Sequence, residues 1–193
     1  NQIQELKRLK ATGKPIVLLL CTGSAIALEE VEPLVDAIMV CWYGGQEMGS
    51  AISLALNGHD DNFGRLPATF YRSTQQLPDF ENYDLQGRTY RYMEEEPMYP
   101  FGYGLSYSEF SLTDVSFDRS TLTVTANVKD KKSLIDNWMK GDISILNTTV
   151  VQVYLSTPDR AGSPKKSLVA FQNIGLFEGE TDEFQIPIDP FWL

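Results

Sequence analysis

The chain has 193 residues and a formal net charge of −10, with 16 Lys and Arg set against 26 Asp and Glu. That balance excludes a nucleic-acid surface, which needs clustered cations to neutralise phosphates. No apolar run reaches the ~20 residues of a membrane-spanning helix, and 42% hydrophobic residues suffice for one large core or two small ones.

Ile3, Leu6 and Leu9 recur at helical spacing, so Gln2 to Lys10 reads as the tail of a helix, broken by Gly13-Lys14-Pro15. Ile16 to Cys21 is a continuous apolar run, the pattern of a strand in a parallel sheet covered on both faces. Thr22-Gly23-Ser24 turns the chain, and Ala25 to Val35 is expected to be a helix whose last turn Pro33 shortens or kinks. Ala37 to Trp42 is a second buried strand. Gln46 to Asn57 is a second helix with Ala51, Ile52, Leu54 and Ala55 facing inward and Asn57-Gly58 ending it. Strand, helix, strand and helix in this order predict parallel strands joined by a right-handed crossover. Two strands are only part of a doubly wound sheet, whose remaining strands are expected before residue 1. Cys21 and Cys41 end the two apolar runs. Buried thiols are the expectation for them, and a bridge requires that the strand ends adjoin.

Leu66 to Arg72 is expected to form a further strand at the sheet margin, with a proline near its start. Residues 73 to 104, rich in Pro, Gly, Asp and Tyr, are a long ordered connection, the kind that is functional or pinned by packing. Beyond Tyr107 the pattern changes. Ser111–Phe117, Thr121–Val128, Val150–Leu155, Ser167–Ile174 and Glu183–Ile188 alternate apolar and polar residues, which predicts an antiparallel sandwich. Lys129 to Asn147 is longer than a strand turn and reads as an insertion or disordered excursion.

Three blocks carry the strongest signal: Trp42-Tyr43-Gly44-Gly45-Gln46-Glu47-Met48-Gly49, Gly64-Arg65-Leu66-Pro67-Ala68-Thr69-Phe70-Tyr71 and Tyr99-Pro100-Phe101-Gly102-Tyr103-Gly104-Leu105-Ser106-Tyr107. In this order and spacing they resemble the C-terminal half of family 3 glycoside hydrolases, the β-glucosidase and β-xylosidase group. The resemblance runs from Gly13 to Tyr107 and continues more weakly. It implies the later half of an α/β sandwich domain over residues 1–107, and a truncated fibronectin type III-like domain over 108–193. Val150-Val151-Gln152-Val153-Tyr154-Leu155-Ser156 resembles one strand of the latter.

Retaining glycosidases need two carboxyl groups about 5–5.5 Å apart. The resemblance implies a nucleophilic aspartate on a preceding barrel domain and an acid/base glutamate in a loop upstream of Gly13. Neither maps onto this chain, so catalytic residues are expected elsewhere and the chain alone is expected to be inactive. No cofactor and no metal is implied. The expected partners are a β-linked glycoside, the barrel and the first half of the α/β domain, with dimerisation of the isolated chain as a further expectation. A secreted or periplasmic location is implied by the family alone.

Glu47 and Arg88 are the substrate-binding candidates. Glu47 either contacts sugar or sits at a helix start, where the dipole favours a carboxylate, past the end of a strand where open α/β sheets bind ligands. Arg88, beside Tyr90 and Tyr92, either donates to a sugar or pins its loop through carbonyls. Tyr90, Tyr92, Tyr99, Phe101, Tyr103 and Tyr107 either stack on pyranose rings or staple the two domains. Trp42 defaults to core packing, Glu94-Glu95-Glu96 to a solvated loop, and His59, the single histidine, to solvent. Thr22-Gly23-Ser24 lacks the spacing of a phosphate loop, and no G-x-S-x-G elbow appears. Asn147-Thr148-Thr149 fits an N-glycosylation triplet. The alternative to an enzyme part is a non-catalytic carbohydrate-binding or protein-interaction module; a flavodoxin-like nucleotide domain is opposed by the absent phosphate loop.

Overall fold

A computed structural model of the chain describes residues 1–133, 146–157 and 162–192. The chain divides into two compact units, Asn1–Gly49 with Pro67–Phe101, and Ser50–Leu66 with Gly102–Leu193.

The first unit opens with α1 (Gln2–Lys10), capped by Asn1, whose Oδ1 accepts from the Ile3 amide at 3.2 Å. Lys7, Arg8 and Lys10 crowd its last turn, where the helix dipole is negative. β1 (Val17–Leu20) and β2 (Ala37–Val40) pair in parallel, Val17 opposite Ala37 and Leu20 opposite Val40. Asp36 sets this register from below. Its carboxylate accepts from the Ile16 amide at 2.8 Å, its own amide donates to the Ile16 carbonyl, and Lys10 lies 3.7 Å from it.

The expected helix between these strands is absent. Ala25 to Val35 holds only a 3-10 turn, Glu32–Leu34. Pro33 cannot donate, so it is tolerated only in that first turn. The β-branched Val31 and Val35 disfavour helix further. Leu28 anchors the segment instead: it is buried, and its carbonyl accepts from the amides of Val31 and Glu32. Nor are the strands buried on both faces. Val17 is 49% exposed and Leu19 39%, so among the described residues one face of the pair lacks a full covering layer.

The second expected helix is α2 (Met48–Leu56), and the unit boundary falls within it. The Asn57 side chain returns to the Ser53 carbonyl at 2.8 Å, Gly58 takes φ +69°, and the His59 amide donates to the Leu54 carbonyl. Of its four expected inward residues, Ile52 and Ala55 are partly buried while Ala51 and Leu54 are exposed. The expected strand at Leu66–Arg72 reduces to one antiparallel bridge, Phe70 with Tyr99. Pro67 has no N–H to give, and the Arg72 amide is taken by Gln76 Oε1 at 2.7 Å. Between residues 73 and 104 the chain makes a 3-10 turn at Thr74–Gln76 and a single turn, α3 (Thr89–Tyr92). Tyr90 stacks on Phe101 with centroids 4.3 Å apart, and Phe70 is fully buried.

The second unit is an antiparallel sandwich. β3 (Ser108–Asp118), β4 (Thr123–Ser133) and β7 (Thr181–Pro187) form one sheet in the order β3-β4-β7. β5 (Asn147–Leu155) and β6 (Ser167–Leu176) form the other. Alternation gives each strand one apolar face, and Val128, Val151, Ile174, Leu176 and Ile186 from both sheets make the core. Lys129 to Ser133 extend β4 and Asn147 opens β5; the rest of the expected insertion lies outside the described residues. The fold is thus α/β plus all-β, a partial doubly wound parallel sheet followed by a β-sandwich. Among the described residues no helix is long and apolar enough to cross a membrane.

Candidate functional site

In open α/β sheets ligands bind beyond the C-terminal strand ends. Here those ends lead into Cys21–Ser24 and Cys41–Gly45. A Cβ on Gly23 would stand 2.9 Å from the Tyr43 ring, so the ring crosses one loop from the other. Trp42 adopts φ +53°, unusual for a large side chain, and packs edge-on against Phe70 at 6.1 Å. Glu47 is exposed in the turn that leads directly into Met48, the first residue of α2. The cysteines differ from the sequence expectation. Cys21 is exposed and Cys41 only partly buried, and both are free thiols.

The connection after Arg72 places Arg88 in a half-buried position. Its guanidinium donates to the Asn82 carbonyl, while its buried Nε–H has no acceptor among the described residues. The Thr89 amide, at φ +57°, donates to the Tyr71 hydroxyl at 3.0 Å. Nearby is a cavity of about 440 Å³ lined by Gln76, Gln86, Gly87, Met93, Glu94 and Glu95. Gln76 Nε2 donates to Glu95 at 3.1 Å, while Glu94, Glu95 and Glu96 are all exposed, as expected of a solvated acidic run. Glu47 and Arg88 therefore sit on different elements of the first unit, one at a helix start and the other in the long connection.

The second unit contains a residue that sequence reasoning did not single out. Asp61 is fully buried. Its carboxylate accepts from the Ser106 hydroxyl at 2.8 and 2.9 Å and from the Tyr107 amide at 2.8 Å, and its carbonyl accepts from the Thr148 hydroxyl at 3.1 Å. Burial pulls the Arg65 guanidinium below its usual pKa while the Asp61 charge pulls it back up, and Arg65 also donates to Thr149 at 3.0 Å. Burial, then Asp61, push the Tyr107 phenol up; its hydroxyl donates to the Ala55 carbonyl at 2.9 Å. A carboxylate so fully supplied with donors holds a fold together and is not a free general base. The only sequence signal for it was its place just ahead of the Gly64-Arg65-Leu66-Pro67 block.

Gly102 and Gly104 both lie where a side chain would collide with a neighbour. Gly102 is at φ +81°, and a Cβ there would meet Gln152 Oε1 at 2.2 Å. A Cβ on Gly104 would meet the Gly64 carbonyl at 2.8 Å. Asn147, the acceptor of the glycosylation triplet, is 1% exposed and its amide donates to Asp130 at 2.5 Å, which withdraws it from solvent. His59 is exposed. Among the described residues no group of three or more His, Cys, Asp or Glu is arranged to hold a metal ion.

Residues 1–107 match the glycosyl hydrolase family 3 C-terminal domain, and residues 149–192 match the fibronectin type III-like domain. The chain is 37% identical over 186 residues to a xylan 1,4-beta-xylosidase of Xylanibacter ruminicola, covering 93% of this chain and 20% of that protein. It is 38% identical to a periplasmic beta-glucosidase of Salmonella typhimurium, covering all of this chain and 27% of that protein. Among solved structures, a beta-glucosidase from Listeria innocua in complex with gluconolactone superposes with a TM-score of 0.75 at 29% identity, over 97% of this chain and 27% of that one. A beta-D-glucoside glucohydrolase from Trichoderma reesei reaches a TM-score of 0.80 at 20% identity, over 97% of this chain and 30% of that one, which supports the fold alone. The chain spans between about a fifth and a third of these proteins. With its first 107 residues matching the family's C-terminal domain, it belongs to glycosyl hydrolase family 3.

Proposed function

We propose that this chain is the C-terminal part of a retaining, exo-acting β-glycosidase that removes terminal β-linked glucose or xylose. The observation that carries the reading is coverage: relatives named beta-xylosidase and beta-glucosidase align with 93% and 100% of this chain but extend it four- to fivefold. In such an enzyme one carboxyl protonates the leaving oxygen while the other attacks the anomeric carbon. Water then releases the glycosyl-enzyme intermediate. Both carboxyls belong to the remainder of the polypeptide. This chain roofs the site and supports the acid/base loop.

Within that frame Glu47 and Arg88 contact substrate. Glu47 stands at a helix start past a strand's C-terminal end, and the half-buried Arg88 guanidinium lies in the long connection beside Tyr90. The functional division falls at Tyr107, with 1–107 as the later half of the α/β domain and 108–193 as the fibronectin type III-like part. The uncovered face of β1 and β2 receives the rest of the polypeptide, or a second copy when the chain is alone. The name of the Salmonella typhimurium relative supports a periplasmic location.

The test uses aryl β-glucoside and β-xyloside. The isolated chain should give no turnover, and hydrolysis should appear when a polypeptide carrying the barrel and the first half of the α/β domain is added. Turnover by the chain alone would overturn the proposal. Calorimetric binding of glucose, xylose or their β-linked disaccharides by the chain alone would favour a carbohydrate-binding module.

A further inference from the structure

The parallel ladder between β1 and β2 ends on the rung of Leu20 opposite Val40, which the Cys41 amide closes by donating to the Leu20 carbonyl at 3.0 Å. Cys21 and Cys41 are the next residue on each strand, and the same register carried one residue further sets them opposite each other. Facing residues on neighbouring strands project to the same side of the sheet, with backbones about 4.8 Å apart, inside the ~4.4–6.8 Å Cα window of a disulfide.

The thiols themselves meet. The Cys41 pKa is raised by burial, then by the neighbouring Cys21 charge and by a hydrogen bond between the two side chains. Cys21 is exposed, so it is open to reagents, whereas Cys41 is partly covered behind it and also donates to the Met39 carbonyl at 3.5 Å. The loops that follow are held together as well. The Tyr43 ring lies across Gly23, and Trp42, next to Cys41, is locked at φ +53° against Phe70.

We propose that Cys21 and Cys41 form an intrachain disulfide that staples the two loops at the C-terminal mouth of the parallel strands. The reaction is thiol–disulfide exchange with an oxidised low-molecular-weight disulfide such as glutathione disulfide. The exposed Cys21 thiolate attacks one sulfur of the reagent, forms a mixed disulfide and expels one glutathione thiolate. The Cys41 thiolate then attacks Cys21 Sγ, forming the protein S–S bond and expelling the second glutathione. Two protein thiols are oxidised, one disulfide is reduced to two thiols, and the two protein protons end on the departing thiolates or in buffer. The raised Cys41 pKa lowers its thiolate fraction near neutral pH, so the second step accelerates as pH rises. The bridge persists in an oxidising compartment.

The test equilibrates the 193-residue chain in stepped ratios of reduced and oxidised glutathione and reads intact mass and free thiols. The expected product has lost both thiols together, is about 2 Da lighter and carries no glutathione. Its effective thiol concentration in native buffer should exceed that in concentrated guanidinium by at least about tenfold, since the fold holds the pair together. In Cys21→Ser the Cys41 thiol should take up glutathione more slowly than Cys21 does in Cys41→Ser. Two separate glutathione adducts, a disulfide-linked dimer on a non-reducing gel, or equal effective concentrations with and without guanidinium would overturn the assignment.

Discussion

The two units treat apolar strands in opposite ways. In the sandwich, Val128, Ile174, Leu176 and Ile186 are 0–2% exposed, because β4, β5, β6 and β7 turn apolar residues toward a second sheet within the same unit. In the α/β unit, β1 reads Val-Leu-Leu-Leu yet Val17 and Leu19 remain 49% and 39% exposed, and no residue of α1 is buried. Strand propensity is similar in both. What differs is the number of layers available, and burial against a facing layer, rather than backbone pairing, supplies most of a sheet's stability. Antiparallel strands with one apolar face need one cover, while parallel strands apolar on both faces need two.

This contrast is breakable by mutation. Ile174→Ala should cost the second unit about 2–5 kcal/mol, the range for truncating a buried aliphatic side chain. Leu19→Ala should cost the first unit less than about 1 kcal/mol, as for exposed positions. Urea unfolding followed by amide exchange on β6 and β1 measures both, and equal costs would end the comparison. Asp61→Ala removes the shared acceptor of Ser106 and Tyr107 and leaves their donors unpaired. A loss of about 2–4 kcal/mol is expected, visible as a lower urea midpoint for the sandwich with the exchange of β1 unchanged.

Gly102→Ala combines a left-handed backbone with the crowding of Gln152 and Tyr154, and should cost about 1–3 kcal/mol. Replacement of Gly45, where a Cβ meets nothing within 4 Å, is the control expected to be near-neutral. The smallest effect is on pH dependence. The folded Tyr107 phenol titrates above its unfolded value, so its contribution is intact below about pH 10 and is lost as pH climbs through the raised value. Urea midpoints between about pH 9 and 11 should fall less steeply for Tyr107→Phe than for the parent chain. Parallel curves would show that Tyr107 does not couple to folding.

The local patterns of this chain carried a great deal. Period-3.6 and period-2 spacing located α1, α2 and the five described strands of the sandwich to within a few residues, since those elements carry apolar residues on one face and so write an amphipathic signature. The three ordered blocks carried the family. Where the signature was weaker, reading failed. Leu28, Val31 and Val35 looked helical, but Pro33 and the burial of Leu28 left only one 3-10 turn. Leu66–Arg72 looked like a strand, but Pro67 and the Arg72 amide bond to Gln76 left a single bridge.

Other features depended on residues far apart in sequence, and no local window contains them. Asp61 became a hub only when Ser106 and Tyr107, 45 and 46 positions on, were brought to its carboxylate. Cys21 and Cys41 became neighbours only through strand register. Composition and periodicity specify which faces are apolar and which turns are tight, because these are local free energies. Which donor meets which acceptor is decided by long-range packing, and only the folded chain contains that information.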